Sequence, residues 1–119
     1  MSGKLFGRAT IRAGGQVLKT AAGSTLELGG VTRTPRSGDN DADGFTEEIT
    51  PSKVECSVQM REGTSLAEIH AIEDGTITFE CDTGQTYLIN HGYSATPPML
   101  GGEGVAKCVF QGPPAEEIV

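Results

Sequence analysis

The chain has 119 residues, with 9 Lys+Arg against 16 Asp+Glu and a net charge of -7, which fits one acidic domain and excludes two. Leu, Ile, Val and Phe make up only 25 residues against 17 Gly and 6 Pro, so a modest core and many short strands and turns are expected. No apolar run approaches the roughly 20 residues that cross a bilayer, there is no secretory apolar region, and Cys56, Cys81 and Cys108 are too scattered for a disulfide framework; the chain is expected to be soluble and intracellular, in a reducing compartment.

Leu5, Phe6, Ala9 and Ile11 alternate with polar neighbours, and Gly14-Gly15 offers a turn into Gln16-Val17-Leu18-Lys19, an opening hairpin. From Gly29 to Gly44, Val31 is the only large apolar residue in sixteen. This stretch is expected to be a long polar loop, a feature that is often functional in a small domain. Phe45 to Ile49 forms a short strand stopped by Pro51. In Lys53 to Arg61, Val54, Cys56, Val58 and Met60 share one face, the pattern of a half-buried strand. Ser65-x-x-Glu68 has capping-box spacing, and Leu66, Ile69 and Ile72 recur at helical intervals, predicting one helix from Ser65 to Ala71. Thr76 to Cys81 and Gln85 to Ile89 form a hairpin about Asp82-Thr83-Gly84. Pro97-Pro98 and Gly101-Gly102 break the chain before a last strand, Val105 to Gln111, and residues 112–119 are expected to be a tail that cannot continue a central strand. The fold class is mainly β: a sandwich or partial barrel with one short flanking helix.

Motif chemistry is sparse. Asp39, Asp41 and Asp43 followed by Gly44 match the first half of a calcium loop, but position 12 is Thr50 in place of a bidentate Glu and no helices flank it. These three are weak metal candidates, and no cofactor is expected. The cysteines occupy inward strand positions without the close Cys or His pairs that zinc requires. Gly92-Tyr93-Ser94-Ala95-Thr96 has Thr where a nucleophile elbow needs Gly. Gly102-Glu103-Gly104 leads into Lys107 and a strand rather than into a dinucleotide-binding helix. His70 and His91 have no sequence neighbour that makes a base or a metal ligand, and the adjacent carboxylates Glu47-Glu48, Glu73-Asp74 and Glu116-Glu117 diverge to opposite faces in a strand. An enzyme is not indicated. With net negative charge, no Trp and six Phe plus Tyr, neither is a DNA-binding protein.

Charge is divided along the chain. Residues 1–36 hold six bases and one acid, +5, and the remainder three bases and fifteen acids, -12. That division suits head-to-tail association of identical chains, and equally a folded domain in which opposite charges lie side by side.

Gly7-Arg8-Ala9-Thr10-Ile11-Arg12-Ala13-Gly14-Gly15, Gly29-Gly30-Val31-Thr32-Arg33, Cys81-Asp82-Thr83-Gly84-Gln85-Thr86-Tyr87, and Gly102-Glu103-Gly104 leading to Gln111-Gly112-Pro113 together resemble the tail tube proteins of Mu-like contractile-tailed bacteriophages, in an order spanning nearly the whole chain. The resemblance implies a single tail-tube domain over 1–119, six copies of which form a ring with a continuous inner β-barrel. Rings stack into a conduit for ejection of double-stranded DNA, in a virion tail assembled in the host cytoplasm. It implies sheath, tape-measure and baseplate proteins as partners, and no membrane. Residues 29–44 become an inter-subunit loop whose Asp39, Asp41 and Asp43 meet Arg8, Arg12, Arg33 or Arg36 of another copy. Glu55, Glu80 and Asp82 become lumen-facing, although Lys53 and Arg61 share the face of Glu55. A type VI secretion-like or other injection-particle tube has the same architecture. A small calcium-dependent binding module is the alternative of another class.

Overall fold

A computed structural model describes residues 3, 7–36, 38, 44–62, 64–101 and 104–118. The chain is mainly β with one short helix. Its strands are β1 (Ala9–Ala13), β2 (Gln16–Leu18), β3 (Thr25–Glu27), β4 (Gly30–Arg36), β5 (Gly44–Thr50), β6 (Ser52–Gln59), β7 (Gly75–Cys81), β8 (Thr86–Leu100), β9 (Val105–Gly112) and β10 (Glu116–Ile118), with α1 (Leu66–His70) between β6 and β7. One antiparallel sheet runs β2-β1-β7-β8-β9-β6-β3, with β10 beside β8, while β4 and β5 form a separate two-stranded sheet.

The local rules act as expected in much of the chain. Gly14 and Gly15 take φ of 59° and 86°, the left-handed pair that a two-residue hairpin between β1 and β2 requires. Ser65 caps α1 by accepting the Glu68 backbone N–H. Along β6, residues alternate between the buried core and a half-exposed outer face. Val54, Cys56 and Val58 meet Phe110, Cys108 and Ala106 of β9 across the ladder, and with Ile11, Ile77, Phe79, Ile89 and Ile69 of α1 they form one core. The sheet curls around this core without closing. Between β2 and β3 a single bridge, Thr20 to Val58, and the backbone bonds Ala21 N to Ser57 O and Gln59 N to Lys19 O bring its first part against β6.

Cys56 and Cys108 are opposite one another in the core and Cys81 is packed at its margin. Burial, and secondarily Cys108, push the Cys56 thiol up to about 12, and burial also raises Cys108 and Cys81. The unfolded thiols ionise near pH 8.5 while the folded ones stay neutral, so the unfolded state holds fewer protons above that pH. Stability is therefore complete below about pH 8.5 and declines as the pH rises toward the folded values. Guanidinium melts at about pH 7.5 and about pH 10 should show this loss, and Cys56→Ala should shrink the difference between them.

Three segments differ from the sequence expectation. Residues 30–36 are not part of a structureless loop, since β4 and β5 pair in register from Gly30↔Thr50 to Arg36↔Gly44. Val31, Thr32 and Thr34 favour extended backbone, and Pro35 is tolerated because the hairpin has only edge strands. Second, β8 does not stop at Pro97-Pro98. The register with β9 steps from Thr96↔Val109 to Met99↔Lys107, so two residues stand where one would pair and the bulge absorbs the prolines. His91 lies within β8 at φ 56° where the strand leaves β7 for β9. Third, the tail turns at Pro113-Pro114 and returns as β10, an edge strand on β8.

Candidate assembly surfaces

The β4–β5 hairpin is an arm. All of β5 and all but the first residue of β4 are exposed, and the Cα radius of gyration is 17.2 Å, against roughly 13.5 Å for a compact domain of this length. Its two faces differ. Val31↔Ile49, Arg33↔Glu47 and Pro35↔Phe45 are directly opposed at alternate positions and share one face. There Ile49 is 73% and Phe45 58% exposed, the Arg33 guanidinium lies 5.8 Å from the Phe45 ring centre, and its Nε is 3.7 Å from Glu47. The other face is polar, with Thr32 Oγ1 2.5 Å from Thr50 Oγ1 and Arg36 Nε donating to Thr46 Oγ1 at 3.2 Å. The root is fixed sterically: Gly29 has φ 73°, and a Cβ there would lie 2.6 Å from the Ser52 backbone nitrogen. Buried Ser52 donates to the Gly112 and Pro113 carbonyls, tying that root to the end of β9.

A second surface is the outer face of β3, β6 and β9. Lys53 Nζ is 2.9 Å from Glu55 Oε1. Glu27 pairs across the ladder with Lys53, and Lys107 lies diagonal to Glu55, whose direct partner is Val109. Their hydrogen bond and mutual attraction hold the Glu55 carboxyl below, and the Lys53 ammonium above, their ordinary values; Lys107 and Glu27 act on them in the same senses.

The outer face of β1 and β7 is the third. Arg12 Nε is 3.2 Å from Glu80, and Arg8 Nε is 3.7 Å from Asp82. Asp82 also accepts the Gly7 N–H at 3.2 Å, and its side chain is only 17% exposed, so it ties the entry to β1 against the β7–β8 turn. Glu80 and Glu55 therefore lie on opposite outer sides of one core, and Asp82 goes with Glu80. Arg8, Arg12 and Arg33 have carboxylate partners, and Arg36 a hydroxyl partner, within their own chain. Asp39, Asp41 and Asp43 lie outside the described residues.

Catalytic geometry does not emerge among the described residues. The described residues contain no group of three His, Cys, Asp or Glu able to hold a metal. An open cleft of about 300 Å³ beside Arg8, Thr20 and Ser24 brings no nucleophile and base together. His91 pairs with exposed Asp74, and His70 with Ser94.

The sequence matches the phage tail tube protein family over residues 2–117. This chain belongs to that family. Among tail tube relatives, it is 32% identical over 107 residues to the Mu-like prophage FluMu tail tube protein of Haemophilus influenzae, covering 90% of each chain. It is 30% identical over 96 residues to the tail tube protein of Escherichia phage Mu, covering 81% of this chain and 80% of that one. Its fold is also similar to the tube-terminating cap of the anti-feeding prophage, with a TM-score of 0.67, 10% identity, and coverage of 94% and 88%. The sheath/tube terminator of the PVC extracellular contractile injection system is similar at a TM-score of 0.64, 10% identity, and coverage of 94% of both chains. Membership makes the chain a structural component of a phage tail tube.

Sequence reasoning missed Glu27, Lys107 and the apolar face of the arm. Alternation of Val31, Arg33 and Pro35 against polar Thr32 and Thr34 was a signal for the arm; nothing local marked β3.

Proposed function

We propose that six copies of this chain form a ring, and that stacked rings make a conduit through which double-stranded DNA leaves the virion. The observation that carries this reading is a four-stranded half-sheet, the second part of β8 with β9, β6 and β3, left open at both edges among the described residues, beside an arm with an uncovered apolar face. Unequal open edges favour head-to-tail pairing, which closes into a ring when the rotation permits. The family resemblance supplies the number six. In this arrangement β3 of one copy meets the second part of β8 of the next, and the outer face carrying Glu55 lines the lumen. The face carrying Glu80 and Asp82 turns away from the lumen, toward the sheath. The arm covers Val31, Phe45 and Ile49 against a neighbouring copy, where Arg33 and Arg36 meet acids including those at 39, 41 and 43. The chain has no enzymatic role, and assembly takes place in the host cytoplasm with sheath, tape-measure and baseplate proteins. Negative-stain microscopy of the purified protein should show rings or stacked tubes, and light scattering should show mass rising with concentration. A strictly monomeric mass at high concentration and low salt would overturn the proposal.

A further inference from the structure

Lysines on the wall of a DNA conduit present a physical difficulty. Each phosphate that an amine neutralises releases counterions, and a wall repeating that contact along its length would hold the duplex. The outer face of β3, β6 and β9 carries two lysines, Lys53 and Lys107, and two glutamates, Glu27 and Glu55. Its other outward strand residues, Thr25, Ser57, Gln59, Val105, Val109 and Gln111, are uncharged, so the three strands put no net charge on this face although the chain as a whole has -7; Arg61, two residues past Gln59, donates to the Gln59 side chain at 2.6 Å.

The signs alternate across the strands. Glu27 on β3 stands opposite Lys53 on β6, Lys53 is bonded to Glu55 two residues along at 2.9 Å, and Glu55 is diagonal to Lys107 on β9. Ladder register fixes these neighbours, because residues opposite or diagonal on one sheet face stay within reach of long side chains. Glu55 is bonded to Lys53 and feels the charge of Lys107.

We propose that Glu27, Lys53, Glu55 and Lys107 form a self-neutralised ladder that keeps this face from adhering to duplex DNA, with Glu55 masking both lysines. The proposal rests on the reading of this face as the lumen. It differs from an acidic wall: pairing weakens the pull of the strand lysines on phosphates without a field of like charge, and the lysines remain as intramolecular partners.

The test uses subunits assembled in the presence of a labelled duplex, followed by pelleting of the tubes. Glu55→Gln removes the shared acid. Glu73→Gln makes the same change in net charge at an exposed position after α1. A triple variant, Glu55→Gln with Lys53→Gln and Lys107→Gln, removes the unmasked amines as well. At low salt, Glu55→Gln tubes should retain at least about tenfold more duplex than wild type, falling steeply as salt is raised, while Glu73→Gln and the triple variant should match wild type. Circular dichroism checks that each variant is folded. Retention by Glu55→Gln no greater than by Glu73→Gln would overturn the ladder, as would retention by the triple variant equal to that of Glu55→Gln. Absence of tubes from the wild type would overturn the conduit reading separately. Fluorescence anisotropy on dispersed subunits would then decide the ladder, with the same order of variants expected.

Discussion

Val58→Asp is expected to leave no folded subunit. Val58 is 2% exposed, pairs with Ala106 of β9 on one side and is bridged by Thr20 on the other, so a carboxylate placed there meets apolar side chains and already paired backbone. Burying it without a partner costs several kcal/mol on the order of the 5–15 kcal/mol that stabilises a small domain. The core has little to spare, since its largest fully buried side chains are Phe110, Ile11, Ile77 and Ile89. Gln59→Asp, one residue along and on the outer face, should be tolerated, because a one-residue step in a strand reverses the side-chain direction. Circular dichroism and gel filtration of the two variants test this directly. A soluble, cooperatively melting Val58→Asp protein would reverse the assigned orientation of β6, and with it the outward position of Glu55.

Removing the arm should have the opposite effect, abolishing tubes while preserving the subunit. Gly30 and Thr50 are directly paired at its root, close enough for residues 31–49 to be replaced by a two-residue Asn-Gly turn. No described arm residue belongs to the core cluster, so the melting temperature should shift by only a few degrees, on the order expected for about 1 kcal/mol. An isolated two-stranded hairpin is marginally stable in water, and this one leaves Phe45 and Ile49 largely exposed. Both facts fit an element that is stabilised by a neighbouring copy. Electron microscopy of the shortened protein should show no tubes at concentrations where the full chain forms them. Long tubes would show that assembly needs only the sheet edges.

Lys53, Glu55, Arg12 and Glu80 form charged patterns only because the ladders bring β3, β6 and β9, or β1 and β7, into register. In the sequence they are separated acids and bases, compatible equally with pairing inside one chain and between chains. The structure realises the first for Arg8, Arg12 and Arg33. In the proposed tube, contacts between copies use what these arginines have left, or exchange partners on assembly.

Local chemistry alone determined the mainly β class, the Gly14-Gly15 hairpin, the Ser65-capped helix and the inward face of β6. Each depends on neighbours within a few residues: a turn that needs φ above zero, a hydroxyl that satisfies an N–H, a two-residue alternation that buries one face. Tertiary structure decided the rest. The arm was hidden because its strands have few core residues and are stabilised chiefly by pairing with one another. The passage of β8 through Pro97-Pro98 depended on β9 accepting a bulge. The separation of Glu55 from Glu80 and Asp82 depended on the sheet curling around a core. Alternation says which residues leave the core, but only the curl of the sheet says toward which side of the molecule they point.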